Sequence, residues 1–157
     1  MKTAAVLFAF GCDRSRYDVN TLIDYFKQNG LTITNSVGAA DVVVICLCGF
    51  TEYNEICSLR MLARVMKKKK KAAEVFVAGC LGGICKSKIA TEFCVTAISF
   101  GDCADLDRNI GAAIPFNEVF SRRCSLQPRT NPDITYVSRW DNWVSRAGFS
   151  KELIFYG

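Results

Sequence analysis

The hydrophobic positions of this chain fall into short continuous runs separated by stretches with helical periodicity. Residues 4–10 (AAVLFAF) carry no polar side chain and stop at Gly11, the pattern of a strand buried on both faces. Val19, Leu22, Ile23 and Phe26 then recur at i, i+3, i+4 and i+7, one face of a helix with Asp18 as its expected N-cap and Gly30 just past its end. Residues 31–34 predict a short second strand, and residues 42–47 (VVVICL), entered through Asp41, predict a third, the most apolar in the chain. Thr51 is expected to cap a second helix, with Glu52 and Glu55 in its positive first turn and Lys67 to Lys71 at its negative end. Ile56, Leu59, Ala63 and Met66 are its expected buried stripe. Further on, residues 74–78 predict a fourth strand, 86–92 a third helix, 95–100 a fifth strand closed by Gly101, and 102–110 a fourth helix.

Strands that alternate with helices predict an α/β fold: a doubly wound, mostly parallel five-stranded sheet with right-handed crossovers. The most economical strand order is 2-1-3-4-5, that of flavodoxin-like folds. Pro115, Pro128 and Pro132 lie where the periodicity stops. Residues 1–114 are therefore expected to form the domain, and 115–157 a linker and C-terminal extension leading toward a further domain. Trp140 and Trp143 predict that the extension packs on something, and the apolar run at 153–156 reads as cut off before its partner.

Composition sharpens this picture in two places. Among 157 residues there is no histidine, which removes His-based acid–base catalysis and every His-containing metal site, and there are nine cysteines, an odd number. Several of those cysteines close apolar runs, which suits a reducing interior and metal chemistry better than a secreted disulfide scaffold. A net charge of +5 is compatible with an acidic or nucleic-acid partner without demanding one. The apolar stretch after Met1-Lys2 is at the short limit for a signal peptide, and no run approaches the roughly 20 apolar residues of a membrane span. The expected location is the cytoplasm, with no membrane partner.

Cys12 follows the first strand, Cys48 the third and Cys80 the fourth, each beside a glycine: Gly11, Gly49 and Gly79. In the order 2-1-3-4-5 those strands are neighbours about 4.8 Å apart. The three thiols are therefore expected on one carboxyl-end rim, where open α/β sheets bind their ligands. Three converging thiolates suit an iron–sulfur cluster, and three rather than four leave one iron open to a sulfide, a persulfide or a substrate sulfur. The plainer alternative is that they are inert buried cysteines. Cys57, Cys94, Cys103 and Cys124 read as core or surface thiols, while Cys46, pointing into the sheet, and Cys85, near a helix start, are ambiguous.

At these residues the chain resembles the N-terminal domain of the radical-SAM methylthiotransferases, enzymes that modify a tRNA adenosine or a ribosomal-protein aspartate. The resemblance rests on Phe10-Gly11-Cys12, on Ala40-Asp41-Val42-Val43-Val44-Ile45-Cys46-Leu47-Cys48-Gly49-Phe50, and on Val77-Ala78-Gly79-Cys80-Leu81, in that order, with Asp18 and Gly101 at matching positions. It covers roughly residues 3–112. It implies an auxiliary [4Fe–4S] cluster on Cys12, Cys48 and Cys80 that presents sulfur for insertion into an unactivated C–H bond. Cys46-Leu47 stands where the family has Asn-Thr, and Ser15 where it has Asn. No C-x3-C-x2-C motif occurs, so S-adenosylmethionine chemistry is expected only through a radical-SAM domain or subunit absent from this chain. A tRNA or a protein or peptide is the implied substrate.

Competing readings remain open at this level. One is a flavodoxin-like nucleotide- or flavin-binding module without metal. Another is a zinc-stabilised interaction module on Cys46, Cys48, Cys80 and Cys85, although neither cysteine pair has the usual two-residue spacing. Residues 79–87 brush against a phosphate loop, but cysteines stand where both glycines are required. Lys67 to Lys71, with Arg60 and Arg64, offer RNA a contact or simply complement a helix end.

Overall fold

The computed structural model describes residues 1–10 and 12–124. Five strands form: β1 (Thr3–Phe8), β2 (Thr32–Ile33), β3 (Val42–Cys46), β4 (Glu74–Ala78) and β5 (Thr96–Ala97). All neighbours pair in parallel, in the order β2-β1-β3-β4-β5. The expected α/β class and strand order are thus observed. Gly11, Trp140, Trp143 and the apolar run at 153–156 lie outside the described residues.

The helices are α1 (Asp13–Gln28), α2 (Glu52–Lys68), α3 (Cys80–Ile84), α4 (Lys86–Phe93), α5 (Ala104–Ile110) and α6 (Phe116–Cys124). The core is densest at the central strands, where Ala4 to Phe8 of β1, all of β3 and Val75 to Ala78 of β4 are buried. Each buried aliphatic or aromatic side chain contributes about 1.5–3 kcal/mol, so this apolar triplet anchors the fold. Its register positions the site. Phe8 lies opposite Cys46 and Cys46 opposite Ala78, so the carboxyl ends of β1, β3 and β4 finish level. The outer strands shrink to two residues each, shorter than their apolar runs suggest, because an edge strand has only one neighbour to extend its ladder.

Three expectations about helices are corrected. Asp18 is not an N-cap: α1 starts five residues earlier, with Cys12 in the extended cap conformation and its Sγ accepting from the Ser15 N–H. The first turn is polar in sequence, with Arg14 and Arg16 exposed, so apolar periodicity cannot reveal it. The stripe of α2 is rotated as well. Its buried residues are Asn54, Ser58, Met61, Leu62 and Val65, whereas Ile56 is 42% exposed. Polar residues hold the core-facing positions there because they bond the neighbouring loop. Finally, residues 80–84 form α3, a helix not anticipated, which passes over the end of β4. At Gly82 an added Cβ would lie 3.1 Å from the Val77 carbonyl oxygen, so this close passage favours glycine.

Thr51, by contrast, caps α2 as expected, accepting from the Asn54 N–H, and Gly30 follows α1 at φ +75°. Residues 116–124, in the stretch expected to be linker, form α6. Phe116 is fully buried, its ring 5.3 Å from both Tyr25 and Phe100. The Asp107 carboxylate on α5 links α1 to α6 by accepting from the Tyr25 hydroxyl (2.6 Å) and the Phe116 N–H (3.0 Å). Burial beside that carboxylate pushes the Tyr25 hydroxyl well above its ordinary pKa.

Candidate functional site

Backbone hydrogen bonds tie the three strand ends together. The Ala9 N–H donates to the Cys46 carbonyl (3.0 Å), joining β1 to β3. Past the ends of β3 and β4, the Leu47 N–H donates to the Ala78 carbonyl (2.8 Å) and the Leu81 N–H returns to the Leu47 carbonyl (3.1 Å). Cys48 and Cys80 therefore each neighbour one end of the same hydrogen bond. This closeness depends on Gly79, at φ +83° and ψ −169°, a region that essentially only glycine occupies. A Cβ there would fall 2.6 Å from the Leu47 carbonyl oxygen. Gly49 is less constrained, since a Cβ there would lie 2.9 Å from a Leu81 methyl, the end of a side chain that can shift.

On this rim the cysteines have distinct settings. Cys12 is exposed, and its Sγ lies 3.3 Å from the donating Ser15 N–H and 3.1 Å from the Ser15 hydroxyl. Cys48 is half-buried and held at three atoms by α2. Its N–H donates to the Ser58 hydroxyl oxygen (3.1 Å), that hydroxyl donates to its carbonyl (2.9 Å), and the Asn54 side-chain amide donates to its Sγ (3.3 Å). Cys80 is exposed at the first residue of α3. Two of the three sulfurs thus face polar hydrogen donors, which complement a thiolate better than a neutral thiol packed in a core. Phe50 and Ile84, beside these loops, are 87% and 67% exposed and give the rim an apolar lip.

The remaining cysteines are set apart. Cys46 is buried on β3, and burial, reinforced by the nearby Asp18 and Cys12, pushes its thiol well above the ordinary range. Cys103 is buried too, donates to the Ser99 carbonyl (3.1 Å), and has a thiol pushed up to about 12, first by burial and then by Asp107 and Asp102. Cys85 is half-buried between α3 and α4, and Cys94 is exposed at the end of α4. Among the described residues no three Cys, Asp or Glu side chains gather tightly enough to hold a single metal ion. A four-thiolate zinc site needs such convergence. A cubane cluster does not, because its protein ligands sit on different irons. The donor set on the rim is chemically suited to the latter. Residues 79–87 form α3 and the start of α4 rather than an open phosphate-binding loop.

Asn54 and Ser58 were not singled out by their residue types. The signal that could have found them is spacing, since 54, 58, 61, 62 and 65 lie on one helical face whose later members are apolar. Asp18, also buried on α1, stands 3.9 Å from Arg14, and its carboxyl is raised to about 6 by burial, with Arg14 opposing the shift.

The model of the uncharacterized protein family UPF0004 matches residues 4–101. The chain is 33% identical over 94 residues to the ribosomal protein uS12 methylthiotransferase RimO of Endomicrobium trichonymphae, covering 59% of this chain and 21% of that protein. It is 32% identical over 131 residues to RimO of Chlorobaculum tepidum, covering 81% of this chain and 30% of that one. With RimO of Helicobacter pylori it shares 32% over 83 residues, 53% of this chain and 18% of the relative. The chain thus spans less than a third of the length of these curated relatives. Among the described residues no helix is long and apolar enough to cross a membrane.

Proposed function

Because this chain belongs to the UPF0004 family, the amino-terminal domain of the RimO-type methylthiotransferases, we propose that it is the sulfur-handling part of such an enzyme and binds a [4Fe–4S] cluster through Cys12, Cys48 and Cys80. The observation that carries this reading is the level finish of β1, β3 and β4, with a glycine-flanked cysteine just beyond each. When bound, such a cluster supplies an iron without a protein ligand, at which sulfur can be held.

The chain's own groups have separable tasks in this reading. Cys12, Cys48 and Cys80 are the three thiolate ligands. Ser15 and Asn54 donate hydrogen bonds to two of those sulfurs, and Ser58 fixes the backbone of Cys48. Phe50 and Ile84, exposed beside the rim, offer an apolar seat to the partner. Cys46, buried on β3, stays outside the ligand set in this reading. Cleavage of S-adenosylmethionine falls to a radical-SAM domain or subunit, since no C-x3-C-x2-C motif occurs in this sequence. By kinship with the RimO proteins, the favoured substrate is a ribosomal protein rather than a tRNA. The setting is the reducing cytoplasm.

Anaerobic reconstitution with iron and sulfide tests the reading. About four of each per chain are expected in the wild type and are lost when Cys12, Cys48 and Cys80 are all changed to alanine. A folded wild-type chain that stays colourless and iron-free, or one that takes up a single zinc on four cysteines, overturns it.

A further inference from the structure

Asn54 is a polar side chain in an expensive place. It is only 6% exposed, its Nδ2 donates to the Cys48 Sγ at 3.3 Å, and its Oδ1 is buried with no hydrogen-bond partner among the described residues. An amide buried with its oxygen unpaired loses solvation on that side and gains nothing for it. Packing alone would favour an aliphatic side chain. What the amide offers in return is one directed N–H on a sulfur.

Both ends of that contact are held rigidly. The Asn54 backbone N–H is fixed by the Thr51 cap at 3.1 Å, and one turn later Ser58 grips the N–H and carbonyl of Cys48. Donor and sulfur thus meet through two elements locked to one another, not through a flexible loop. A metal-bound thiolate has no proton to give, so only the amide N–H orientation serves it.

We propose that Asn54 is a positioning and tuning residue for Cys48, its buried amide orienting the sulfur and raising the reduction potential of the iron–sulfur cluster bound there. This rests on the cluster reading above. The physical reason is charge: a one-electron reduced cluster is more negative than the oxidised one, so a hydrogen bond to a ligand sulfur stabilises the reduced form more. Asn54 touches no reacting atom and acts only through Cys48.

The test is a potentiometric titration of the reconstituted full chain with dithionite as the one-electron donor, followed by electron paramagnetic resonance. Iron content and the Fe–S(Cys) stretching frequency are measured on the same samples. Asn54→Leu, close in size but without a donor, is expected to bind as much iron as the wild type. Its reduction equilibrium constant falls about tenfold, which is about 59 mV for one electron, and its Fe–S stretch moves up. Asn54→Ala carries the same reading if Asn54→Leu does not fold. Asn54→Asp, which sets an acceptor against the sulfur, lowers the potential further. Full iron content with unchanged potential and stretch in the leucine and alanine variants overturns this inference and leaves the cluster reading intact. A wild-type chain that binds no iron overturns both.

Discussion

Among single residues, Asp18 carries the clearest consequence for stability. Its side chain is 7% exposed, and burial raises its carboxyl from 3.8 to about 6, only partly offset by Arg14. The folded chain therefore takes up this proton at a higher pH than the unfolded chain does. Between those two values the folded state binds more protons, so the contribution of Asp18 to stability falls as pH rises through the window and stays low above it. Asp18→Asn is expected to stabilise the chain by on the order of 2 kcal/mol near neutral pH. The gain should shrink as pH falls below about 6 and approach zero only below about pH 3, where both states are protonated. Urea denaturation at the two pH values measures it, and a gain independent of pH would contradict the assignment to this carboxyl.

At the scale of elements, α2 acts as a clamp for the Cys48 loop. Its core-facing positions begin with Asn54 and Ser58 and turn apolar only at Met61, Leu62 and Val65. Ser58→Ala removes the hydroxyl that both accepts from and donates to the Cys48 backbone, and should cost about 1–3 kcal/mol. Ile56→Ala, on the exposed side, should stay within about 0.5 kcal/mol of the wild type. The ranking is the reverse of what hydrophobicity alone suggests, and equilibrium unfolding of both variants checks it; equal losses would mean that Ser58 does not hold the loop. The strands and the later helix turns were legible because burial on both faces leaves long apolar runs and caps such as Thr51 are local signals. The starts of α1 and the polar face of α2 were not. Cys12 as a cap and Ser58 as a loop anchor become recognisable only when residues 12 with 15, or 48 with 58, are seen bonded.

For the whole molecule, the question is where the domain ends. The proposed boundary precedes residue 115, while α6 buries Phe116 among Tyr25, Phe100 and Phe120 and joins the compact unit that ends at Ser125. A chain stopped after residue 114 should be less stable than one stopped after residue 124 by about 3–5 kcal/mol, the usual cost of losing a buried aromatic side chain. Denaturant midpoints of the two truncations measure the difference, and equal stabilities would place the boundary at 114. Taken by itself, the sequence determined the α/β class, the strand order 2-1-3-4-5 and the placement of Cys12, Cys48 and Cys80 after β1, β3 and β4. Those follow from apolar runs, glycine stops and the handedness of parallel crossovers, all carried by local pattern. Only the tertiary structure decided which sulfurs meet hydrogen donors, that Asn54 turns its amide to Cys48 and that Phe116 completes the core. Such contacts join residues distant along the chain, and their energies depend on burial that no local pattern encodes.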